Sequence, residues 1–452
     1  MTRQEAPVEP PVVLTIAGSD SGGGAGIQAD LKTIEAGGAF GTSAITSVTA
    51  QNTTGVESTH VLPTDEIDAQ CEAVLADFDV AAVKTGMLAT TEVVELVTDQ
   101  VRDTAAPTVV DPVMVAASGD RLLAEEAEAA YADLVAESTL VTPNADEAGV
   151  LTDVTPEREA EAREAGERLV QMGADAALVK GGHVPGDAVV DVLVTADSVE
   201  TFRHPRVDTD ATHGSGCALS SAIAARLAHG DDLDEAVGAG VDLLARAVRY
   251  NLDVGEGPGA VHHAVELRDR AARDDTTEAV EGIVQSFVDL NVAPLVPEVG
   301  TNVAGATPYA ERPGETAAVD GRITRTLSGA RPSRGVRFGA STNVARLLLA
   351  ARERDPRLRF AVNCRYDDSV ASALGDLDRP VGEFDSGEAA EPAETSAVER
   401  GVDTAFESVD GTPAALVDRG AREGPLVYLL AREPDALVDR TLTLLEAVES
   451  AE

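Results

Sequence analysis

The chain has little of several residue types, and each shortage excludes a class of protein. It contains no tryptophan and only 3% aromatic residues. Its three cysteines, Cys71, Cys217 and Cys364, are far apart and form no C-x-x-C pair. This spacing excludes a disulfide framework and a cysteine-rich zinc site, and it fits a reducing cytoplasm. No apolar run reaches membrane-spanning length, and the polar, proline-bearing N-terminus is unlike a signal peptide. We therefore expect a cytoplasmic protein with no membrane partner.

Basic residues are also scarce, and lysine is almost absent. The chain has 79 acidic and 35 basic residues, a formal net charge of −44, and only three of the basic residues are lysines (Lys32, Lys84 and Lys180). Acid spread along the whole length repels nucleic acid, so we expect no nucleic-acid partner. Dispersed acid with little lysine indicates a cytosol rich in salt, where ions screen self-repulsion. A halophilic source is our hypothesis.

With 452 residues the chain is too long for one ordinary domain. From Val12 to about Val254, short apolar strands alternate with helices, which predicts an α/β fold with a doubly wound, mostly parallel sheet. The predicted strands include Val12–Ile16, Ala81–Lys84, Thr108–Val110, Leu140–Thr142 and Ala177–Lys180. The predicted helices include Ala29–Ala36, Thr91–Val101, Ala124–Ala136 and Glu157–Met172. Ligand sites in such sheets lie beyond the carboxyl ends of the strands.

A charged segment without apolar anchors, residues 268–277, predicts a linker between two domains. The first domain is residues 1–267, and residues 278–452 form a second, smaller α/β domain. In the second domain we expect helices at Glu278–Leu290 and Val344–Glu353 and a strand at Arg359–Asn363. The acidic stretch Gly382–Arg400 is expected to be a solvated loop.

The most informative motif is DATHGSGC, residues 210–217, which opens the helix-like stretch Ala218–His229. Gly214 and Gly216 let the backbone approach a ligand closely, and the helix aims its free N–H groups and positive dipole end at that ligand. The result is an anion site with a thiol in the first helical turn, and a transferring phosphate suits it best. Alternatively, the glycines form an ordinary turn and Cys217 is a small core residue.

A glycine-rich loop, residues 17–26, follows the first strand. It is not a Walker loop, because no Gly-Lys-Ser/Thr follows. A dinucleotide fingerprint would require an acid about twenty residues further on, where the chain instead has Thr49-Ala50-Gln51-Asn52, so we do not expect nicotinamide or flavin binding. The remaining interpretation is a small-molecule pocket, with Asp30 and Gln51 offering polar contacts to a heterocycle.

Further polar residues follow the other predicted strands. Asp111 ends one strand and is placed to reach a magnesium ion, and N-x-x-E puts Asn144 and Glu147 on one side of a short turn. Taken singly, each of these residues is more typical of a helix cap or a surface acid than of a magnesium site. Lys180 ends the next strand, before Gly181-Gly182-His183.

Taken in order, these motifs resemble the ribokinase-like superfamily and, within it, the hydroxymethylpyrimidine and phosphomethylpyrimidine kinases of thiamine synthesis. The similarity covers nearly all of Val12 to Leu267. Sugar kinases of the superfamily carry an aspartate where this chain has Cys217, whereas some pyridoxal kinases share the cysteine, so a pyridoxal kinase is the alternative. The matching segments are TIAGSDSGGGAGIQADLKT, TAQNTTGV, VKTGML, DPVM, TPNADEA, KGGH, THGSGCALSSAIA and GPGAVHHA.

The resemblance implies ATP and Mg²⁺ as cofactors, a pyrimidine substrate, a homodimer, and a role for each matching residue. Cys217 would take the proton of the substrate hydroxyl, and we expect its place at a helix N-terminus to lower the pKa of the thiol. The implied pyrimidine-binding residues are Asp30 and Gln51, with Gly18, Ala25 and Met87 lining the pocket. The implied magnesium and phosphate residues are Asp111, Asn144, Glu147, Lys180, Thr212, Gly214, Ser215 and Gly216.

The second part of the chain contains the segments NVAPLVPEVGTN (residues 291–302), GRI (321–323), FGASTN (338–343), NCRY (363–366) and DRG (418–420). Together they resemble the archaeal thiamine-phosphate synthase domain of the ThiN type, and the similarity runs from Glu278 to the end. This resemblance implies that the domain joins a pyrimidine diphosphate to a thiazole phosphate. Arg322 and Arg365 would stabilise the departing pyrophosphate. The implied ligand-binding residues are Arg322, Ser341, Asn343, Asn363, Arg365 and Asp418.

Two positions depart from that family's pattern. It has histidine where this chain has Asn343, and it has a lysine near Gly420–Pro425, where this chain has Ala421-Arg422-Glu423. Asparagine neither carries charge nor exchanges a proton at neutral pH. The domain is then either a working transferase or a module that binds thiamine phosphate without turnover, and we favour lost or weak synthase activity. A simpler interpretation of Asn343 is that it caps the helix Val344–Glu353.

Overall fold

The chain divides into two compact units, Met1–Leu267 and Arg268–Glu452, in a computed structural model. The structure describes residues 6–115, 119, 121–182, 184, 186–387, 397–421 and 424–451. Within these residues, no helix is both long enough and apolar enough to cross a membrane.

The first unit alternates strands and helices. Its strands are β1 (Val12–Asp20), β2 (Phe40–Asn52), β3 (Gly55–Val61), β4 (Val80–Thr85), β5 (Thr108–Val110), β6 (Leu140–Val141), β7 (Ala176–Val179), β8 (Ala188–Thr195) and β9 (Val199–Pro205). Its helices are α1 (Gly26–Ala36), α2 (Thr64–Asp77), α3 (Thr91–Arg102), α4 (Tyr131–Ala136), α5 (Ala145–Thr152), α6 (Glu159–Met172), α7 (Ser215–Ala228) and α8 (Leu233–Arg249). The predicted helix Ala124–Ala136 is instead a 3₁₀ turn, Glu125–Ala130, followed by α4.

The nine strands form one sheet in the order β3-β2-β1-β4-β5-β6-β7-β8-β9. Pairing is parallel from β2 to β7 and antiparallel at both margins. Successive residues face opposite sides, so Leu14 and Val110 pack with α3 in one core, whereas Val13 and Val109 pack with α7 and α8 in the other. Both faces of the sheet are therefore covered, which confirms the predicted α/β class, and the carboxyl ends of the parallel strands meet at one edge.

The second unit is built on a sheet that is antiparallel except for the pair of strands at one margin. Helix α9 (Val265–Ala271) crosses the boundary residue, and α10 (Arg273–Asp289), α11 (Asn343–Arg354), α12 (Asp368–Ala373), α13 (Ala397–Glu407) and α14 (Pro434–Ala451) follow. Its strands are β10 (Val303–Ala306), β11 (Thr316–Val319), β12 (Ile323–Thr326), β13 (Gly329–Pro332), β14 (Val336–Phe338), β15 (Phe360–Arg365), β16 (Val381–Phe384), β17 (Ala415–Asp418) and β18 (Leu426–Ala431). Seven strands pair in the order β14-β11-β10-β15-β18-β17-β16, and β12 and β13 form a separate ribbon.

Two segments for which the sequence predicted no helix or strand contain them in the structure, and the prediction of a solvated loop at Gly382–Arg400 is wrong. Residues 268–277, expected as a linker, lie in α9 and α10. Asp269 and Thr276 are buried there, and Asp269 accepts a hydrogen bond from the Thr307 hydroxyl (2.5 Å). The expected loop Gly382–Arg400 contains most of β16 and the start of α13, while residues 388–396 lie outside the described part. In both cases polar residues are anchored by tertiary contacts that composition alone does not show.

Candidate active site

A pocket of about 570 Å³ opens at the carboxyl edge of the first sheet. It lies where the parallel strands end, which is the usual position of a ligand site in an open α/β sheet. Of the residues predicted for the first unit, every one except Asp30 lines this pocket. They are Gly18, Ala25, Gln51, Met87, Asp111, Asn144, Glu147, Lys180, Thr212, Gly214, Ser215, Gly216 and Cys217.

The backbone of Gly214–Gly216, here called the anion cradle, turns sharply into α7. Gly214 has a φ of 81°, and a Cβ at this position would lie 1.9 Å from the Gly24 carbonyl oxygen, so only glycine fits. A Cβ on Gly216 would lie 3.1 Å from Asp111 Oδ2 and 3.3 Å from Lys180 Nζ. The bare backbone therefore leaves room for an anion at the start of α7, directly beside a buried ammonium group.

Lys180, Asp111 and Glu147 form a mostly buried cluster below the cradle. Lys180 Nζ lies 2.9 Å from Asp111 Oδ1 and 3.9 Å from Glu147 Oε2. Burial raises the pKa of Glu147 to about 7, with Lys180 opposing the rise and Asp111 adding to it. Burial alone would lower the pKa of Lys180, but the two carboxylates outweigh it and raise the pKa. The lysine therefore stays charged.

Asn144 and Glu147 hold each other at the start of α5. The Glu147 N–H donates to Asn144 Oδ1 (2.9 Å), and the Asn144 N–H donates to Glu147 Oε2 (2.8 Å). Among the described residues, no group of three or more His, Cys, Asp or Glu side chains is arranged to hold a metal. Mg²⁺ beside nucleotides usually takes one or two carboxylates, with phosphates and water filling its other positions. The pair Asp111 and Glu147 fits that donor set.

Cys217 lies in the first turn of α7 and is partly exposed to the pocket. Burial raises the pKa of its thiol to about 12, although Lys84 works in the opposite direction. The expected lowering of this pKa is therefore wrong. Desolvation of the sulfur outweighs the field of the helix terminus, which acts only at short range.

Asp30, predicted to bind the pyrimidine, is fully buried away from the pocket. Its two oxygens accept hydrogen bonds from Lys84 Nζ at 2.9 and 3.0 Å, and they also accept from the hydroxyls of Thr15 (2.6 Å) and Ser221 (2.9 Å). With its lone pairs used in this way, Asp30 is not available to a ligand. The prediction for Asp30 is wrong, and its role here is to hold Lys84.

Lys84 forms part of the pocket wall and was missed by the sequence reasoning. Burial alone would lower its pKa, but the carboxylate of Asp30 overrides this effect and raises the pKa, so Lys84 is charged. Its signal in the sequence was its position at the end of a predicted strand, in a chain with three lysines.

Asp20, at the end of β1, organises the glycine loop, residues 21–26, and was also missed. Its carboxylate accepts hydrogen bonds from the backbone N–H groups of Gly22 (2.7 Å), Gly24 (2.9 Å) and Ala25 (2.8 Å), and from His213 Nε2 (3.1 Å). Burial works to raise the pKa of Asp20, but the hydrogen bond from His213 and those from the backbone hold it below its usual value. Asp20 therefore acts as a charged acceptor that fixes the loop.

The far end of the pocket, near Lys180, contains further residues that were not predicted. Arg206 donates to the carbonyls of Gly182 (2.8 Å), Val184 (2.6 Å) and Gly186 (2.8 Å). Asp191 accepts from the Gly181 N–H (2.8 Å). His183 of the predicted motif lies outside the described residues.

In the second unit, four of the six predicted residues lie at or beside the edge of the sheet where β10 begins and β15 and β17 end. Asn363 accepts from the Asn302 N–H (2.7 Å) and donates to the Gly300 carbonyl (3.0 Å). Arg322 donates to the Val299 carbonyl, and Arg365 Nε lies 3.1 Å from Asp367. Asp418, at the end of β17, accepts from Ser386 Oγ (2.8 Å).

Ser341 and Asn343 lie near the opposite edge of the sheet of the second unit. They follow β14, which ends at the opposite edge, where the Gly339 N–H donates to the Thr316 carbonyl (2.9 Å). Asn343 is exposed and is the first residue of α11, whose N-cap is Thr342, so the prediction that Asn343 caps this helix is wrong. Arg422 and Glu423, which stand where a lysine was expected, lie outside the described residues.

Comparison with known proteins matches each unit to a family model. Residues 20–262 match the model described as phosphomethylpyrimidine kinase, and residues 279–443 match thiamine-phosphate synthase ThiN. A hydroxymethylpyrimidine/phosphomethylpyrimidine kinase of Streptomyces coelicolor is 47% identical over 268 residues, which are 59% of this chain and 99% of that protein. The thiamine biosynthesis bifunctional protein ThiED of Geobacter sulfurreducens is 42% identical over 272 residues, 59% of this chain and 56% of that protein.

Solved structures similar to the chain include two pyridoxal kinases. The ADP complex of the enzyme from Bacillus subtilis has a TM-score of 0.53 and 32% identity, covering 57% of this chain and 100% of that one. The enzyme from Staphylococcus aureus in complex with AMP-PCP and pyridoxal has a TM-score of 0.54 and 30% identity, covering 58% and 96%.

Proposed function

The chain belongs to the phosphomethylpyrimidine kinase family, and on this basis we propose how its first unit works. This unit is a kinase of thiamine biosynthesis. It uses ATP to phosphorylate 4-amino-5-hydroxymethyl-2-methylpyrimidine to the monophosphate and then to the diphosphate. The observation that carries this proposal is the convergence of the anion cradle, Lys180, Asp111 and Cys217 in one pocket.

The residues of the cradle suit phosphoryl transfer, which depends mainly on positioning and on stabilisation of charge. The N–H groups at the start of α7 hold the transferring group, and Lys180 neutralises charge on the phosphates. Asp111 and Glu147 would hold Mg²⁺, which supplies further positive charge to the nucleotide phosphates when bound. Asn144 keeps Glu147 in place through the reciprocal pair of hydrogen bonds.

The pyrimidine end of the pocket is formed by Gly18, Ala25, Gln51 and Met87. A Cβ on Gly18 would lie 2.6 Å from Ser47 Oγ and 3.1 Å from Met87 Sδ, so the close approach of these two side chains requires glycine. The Gln51 amide offers both a donor and an acceptor, which suits an aminopyrimidine.

Cys217 faces the pocket beside the cradle. The raised pKa of the Cys217 thiol makes the thiolate scarce at neutral pH. A general base would have to be this thiolate, which is rarely present. We therefore propose that the Cys217 thiol mainly orients the substrate hydroxyl. The proton of the hydroxyl leaves late, because the transition state is loose and needs little deprotonation of the nucleophile.

A pyridoxal kinase is the alternative, and the solved pyridoxal kinases favour it. The sequence relatives named as hydroxymethylpyrimidine kinases are more similar to this chain, and they favour the pyrimidine. The deciding experiment measures kcat/KM of the purified chain for both compounds. We expect the hydroxymethylpyrimidine to be preferred by at least about tenfold, and a preference for pyridoxal would reverse the assignment.

For the second unit we propose binding of thiazole phosphate or thiamine phosphate, with weak synthase turnover. The exposed amide of Asn343, where the family pattern has histidine, supports weak turnover, since it neither carries charge nor moves a proton. The test mixes the purified chain with pyrimidine diphosphate and thiazole phosphate and measures thiamine phosphate. Robust turnover would contradict the proposal, whereas a gain of activity in Asn343→His would support it.

We also propose a reducing cytoplasm as the compartment, because Cys71, Cys217 and Cys364 are all free thiols in the structure. A homodimer, implied by the family resemblance, stays a prediction that sedimentation or light scattering would test.

A further inference from the structure

Two glycine-rich loops, far apart in sequence, are locked together beside the pocket. One is the glycine loop, residues 21–26, and the other carries His213 and the anion cradle. Asp20 Oδ2 lies 3.1 Å from His213 Nε2, and a Cβ on Gly24 would lie 2.4 Å from the His213 ring. Gly214 is pressed against the Gly24 carbonyl in the same way. The two loops are therefore in direct contact at Gly24, His213 and Gly214.

The hydrogen bond between Asp20 and His213 has a defined donor and a defined acceptor. Asp20 is 2% exposed and carries a charge that can only accept hydrogen bonds, so His213 Nε2 must be the donor. The same carboxylate accepts from three backbone N–H groups of the glycine loop. A single buried charge therefore holds both loops, and such charge-assisted hydrogen bonds are about twice as strong as neutral ones.

Hydrogen bonds also connect the glycine loop to Gln51, at the pyrimidine end of the pocket. Ser21, next to Asp20, donates from its hydroxyl to the Gln51 carbonyl (2.6 Å) and accepts from the Gln51 N–H (2.8 Å). A continuous path of hydrogen bonds and adjacent residues thus runs from Gln51 through Ser21 and Asp20 to His213. The next residue after His213 is Gly214, where the anion cradle begins.

We propose that Asp20 and His213 are a positioning pair that couples the pyrimidine side of the pocket to the anion cradle. The inference rests on the proposed kinase function. In the coupled reaction the substrate hydroxyl oxygen forms a bond to the γ-phosphorus as the bond to ADP breaks, and the hydroxyl proton is released. When the glycine loop and the anion cradle are no longer held in their relative positions, water attacks the same phosphorus instead. The products are then ADP and inorganic phosphate. The pair therefore directs the phosphoryl group to the substrate rather than to water.

The test measures ADP and phosphorylated pyrimidine separately, with the full chain, ATP and hydroxymethylpyrimidine. For the unchanged protein we expect a ratio of ADP to transferred phosphate close to one. His213→Leu removes the donor, so pyrimidine phosphorylation should fall on the order of 10- to 100-fold. The ratio should rise to about two or more, since water needs no alignment with Gln51. A purely structural loss would lower both products together and leave the ratio at one.

Three further variants make the result specific. His213→Gln keeps an N–H donor near the position of Nε2 and should restore a ratio close to one. His229→Leu is the matched control, because its imidazole bonds to the Gly37 carbonyl (3.2 Å), at the opposite end of α7 from His213. Its ratio should not change. Ser21→Ala breaks the path of hydrogen bonds at an exposed residue, so we expect this variant to fold even if His213→Leu does not. The ratio of ADP to transferred phosphate should also rise in Ser21→Ala.

A ratio that stays at one in both Ser21→Ala and any folded His213→Leu would overturn the proposal. If the unchanged protein makes ADP but never a phosphorylated pyrimidine, the proposed kinase function itself fails. These two failures are therefore distinguishable.

Discussion

At the scale of single residues, the three lysines of the chain lie either in the pocket or against the glycine loop. Lys84 and Lys180 both line the pocket, and Lys32 donates to the carbonyl of Gly23 in the glycine loop (2.6 Å). All other basic positions except histidine are arginine. An ammonium group is a compact charge that fits where a planar guanidinium does not. The two pocket lysines are thus used where a small, buried positive charge must face carboxylates and phosphate.

The raised pKa of Cys217 predicts slow alkylation. With a pKa of about 12, only about one thiol in 10⁴ is ionised at pH 8, and the thiolate is the reactive form. The rate of reaction with iodoacetamide should therefore rise about tenfold per pH unit from pH 8 to 10. Cys71 and Cys364 are buried, so mass spectrometry of the modified peptide should find Cys217 first. A rate that levels off near pH 8 would contradict this pKa.

Replacing the thiol should affect the two phosphorylations unequally. In the first step the nucleophile is an alcohol, which needs orientation and must lose a proton, whereas in the second step it is a phosphate that is already ionised. We expect Cys217→Ala to lower kcat on the order of 100-fold for the first step and less than about tenfold for the second. Equal losses, measured with each purified pyrimidine, would show that Cys217 has no role specific to the hydroxyl.

The buried pair of Lys84 and Asp30 predicts a stability effect. Both side chains are 0% exposed, so Lys84→Met leaves an unpaired buried carboxylate and should lower the free energy of unfolding by about 3–5 kcal/mol. The double variant with Asp30→Leu removes both charges and should be markedly more stable than the single variant. Denaturant unfolding in matched salt measures both. Equal stability of the two variants would mean that the pair is not coupled.

Thirteen of the residues predicted from the sequence lie together in one pocket, but the sequence did not show how burial affects Asp30 and Cys217. Asp30 and Cys217 both belong to recognisable motifs, and their positions along the chain were informative. However, the Asp30 carboxylate accepts hydrogen bonds from Lys84, Thr15 and Ser221. Burial also desolvates the Cys217 thiol and raises its pKa. Both effects arise from elements distant in sequence, so local pattern does not reveal them.

At the scale of elements, the start of α7 is the part of the fold that tolerates least change. Gly214→Ala would place a methyl group 1.9 Å from the Gly24 carbonyl and force alanine into a left-handed backbone conformation. Kinase activity should fall by at least about 100-fold, because the anion cradle shifts. Gly230→Ala is the control, since Gly230 also has a positive φ (87°) but a Cβ there meets nothing within 4 Å.

Both glycine variants carry the same backbone strain of about 1–3 kcal/mol. If they lose activity to the same extent at equal stability, strain rather than the collision with Gly24 is responsible, and the cradle argument fails. Activity and thermal unfolding should therefore be measured on the same preparations.

Five of the six parallel strands were predicted from the sequence, whereas β2 and the outermost strands β3 and β9 were not. β5 (Thr108–Val110) has the predicted bounds, because a fully buried strand is a short apolar run between turns. β3 and β9 are largely exposed, and β2 mixes serine, threonine and alanine, so neither alternation nor a continuous apolar run marks them. In such strands, pairing with a neighbour decides the structure more than propensity does.

At the scale of the whole molecule, the net charge of −44 predicts dependence on salt. Self-repulsion weakens as the Debye length falls from about 10 Å at 0.1 M to about 3 Å at 1 M. The thermal midpoint and the kinase activity should both increase between 0.1 and about 2 M KCl. Activity that persists only at low salt would contradict the halophilic hypothesis.

The kinase assignment is tested most directly by measuring which molecule receives the γ-phosphoryl group of ATP. The purified chain is mixed with ATP, Mg²⁺ and hydroxymethylpyrimidine, and the products are followed over time by phosphorus NMR. The account predicts that the pyrimidine monophosphate appears first and the diphosphate second, with one ADP formed for each phosphate transferred. ATP turnover without any phosphorylated pyrimidine, or no turnover at saturating substrates and high salt, would contradict it.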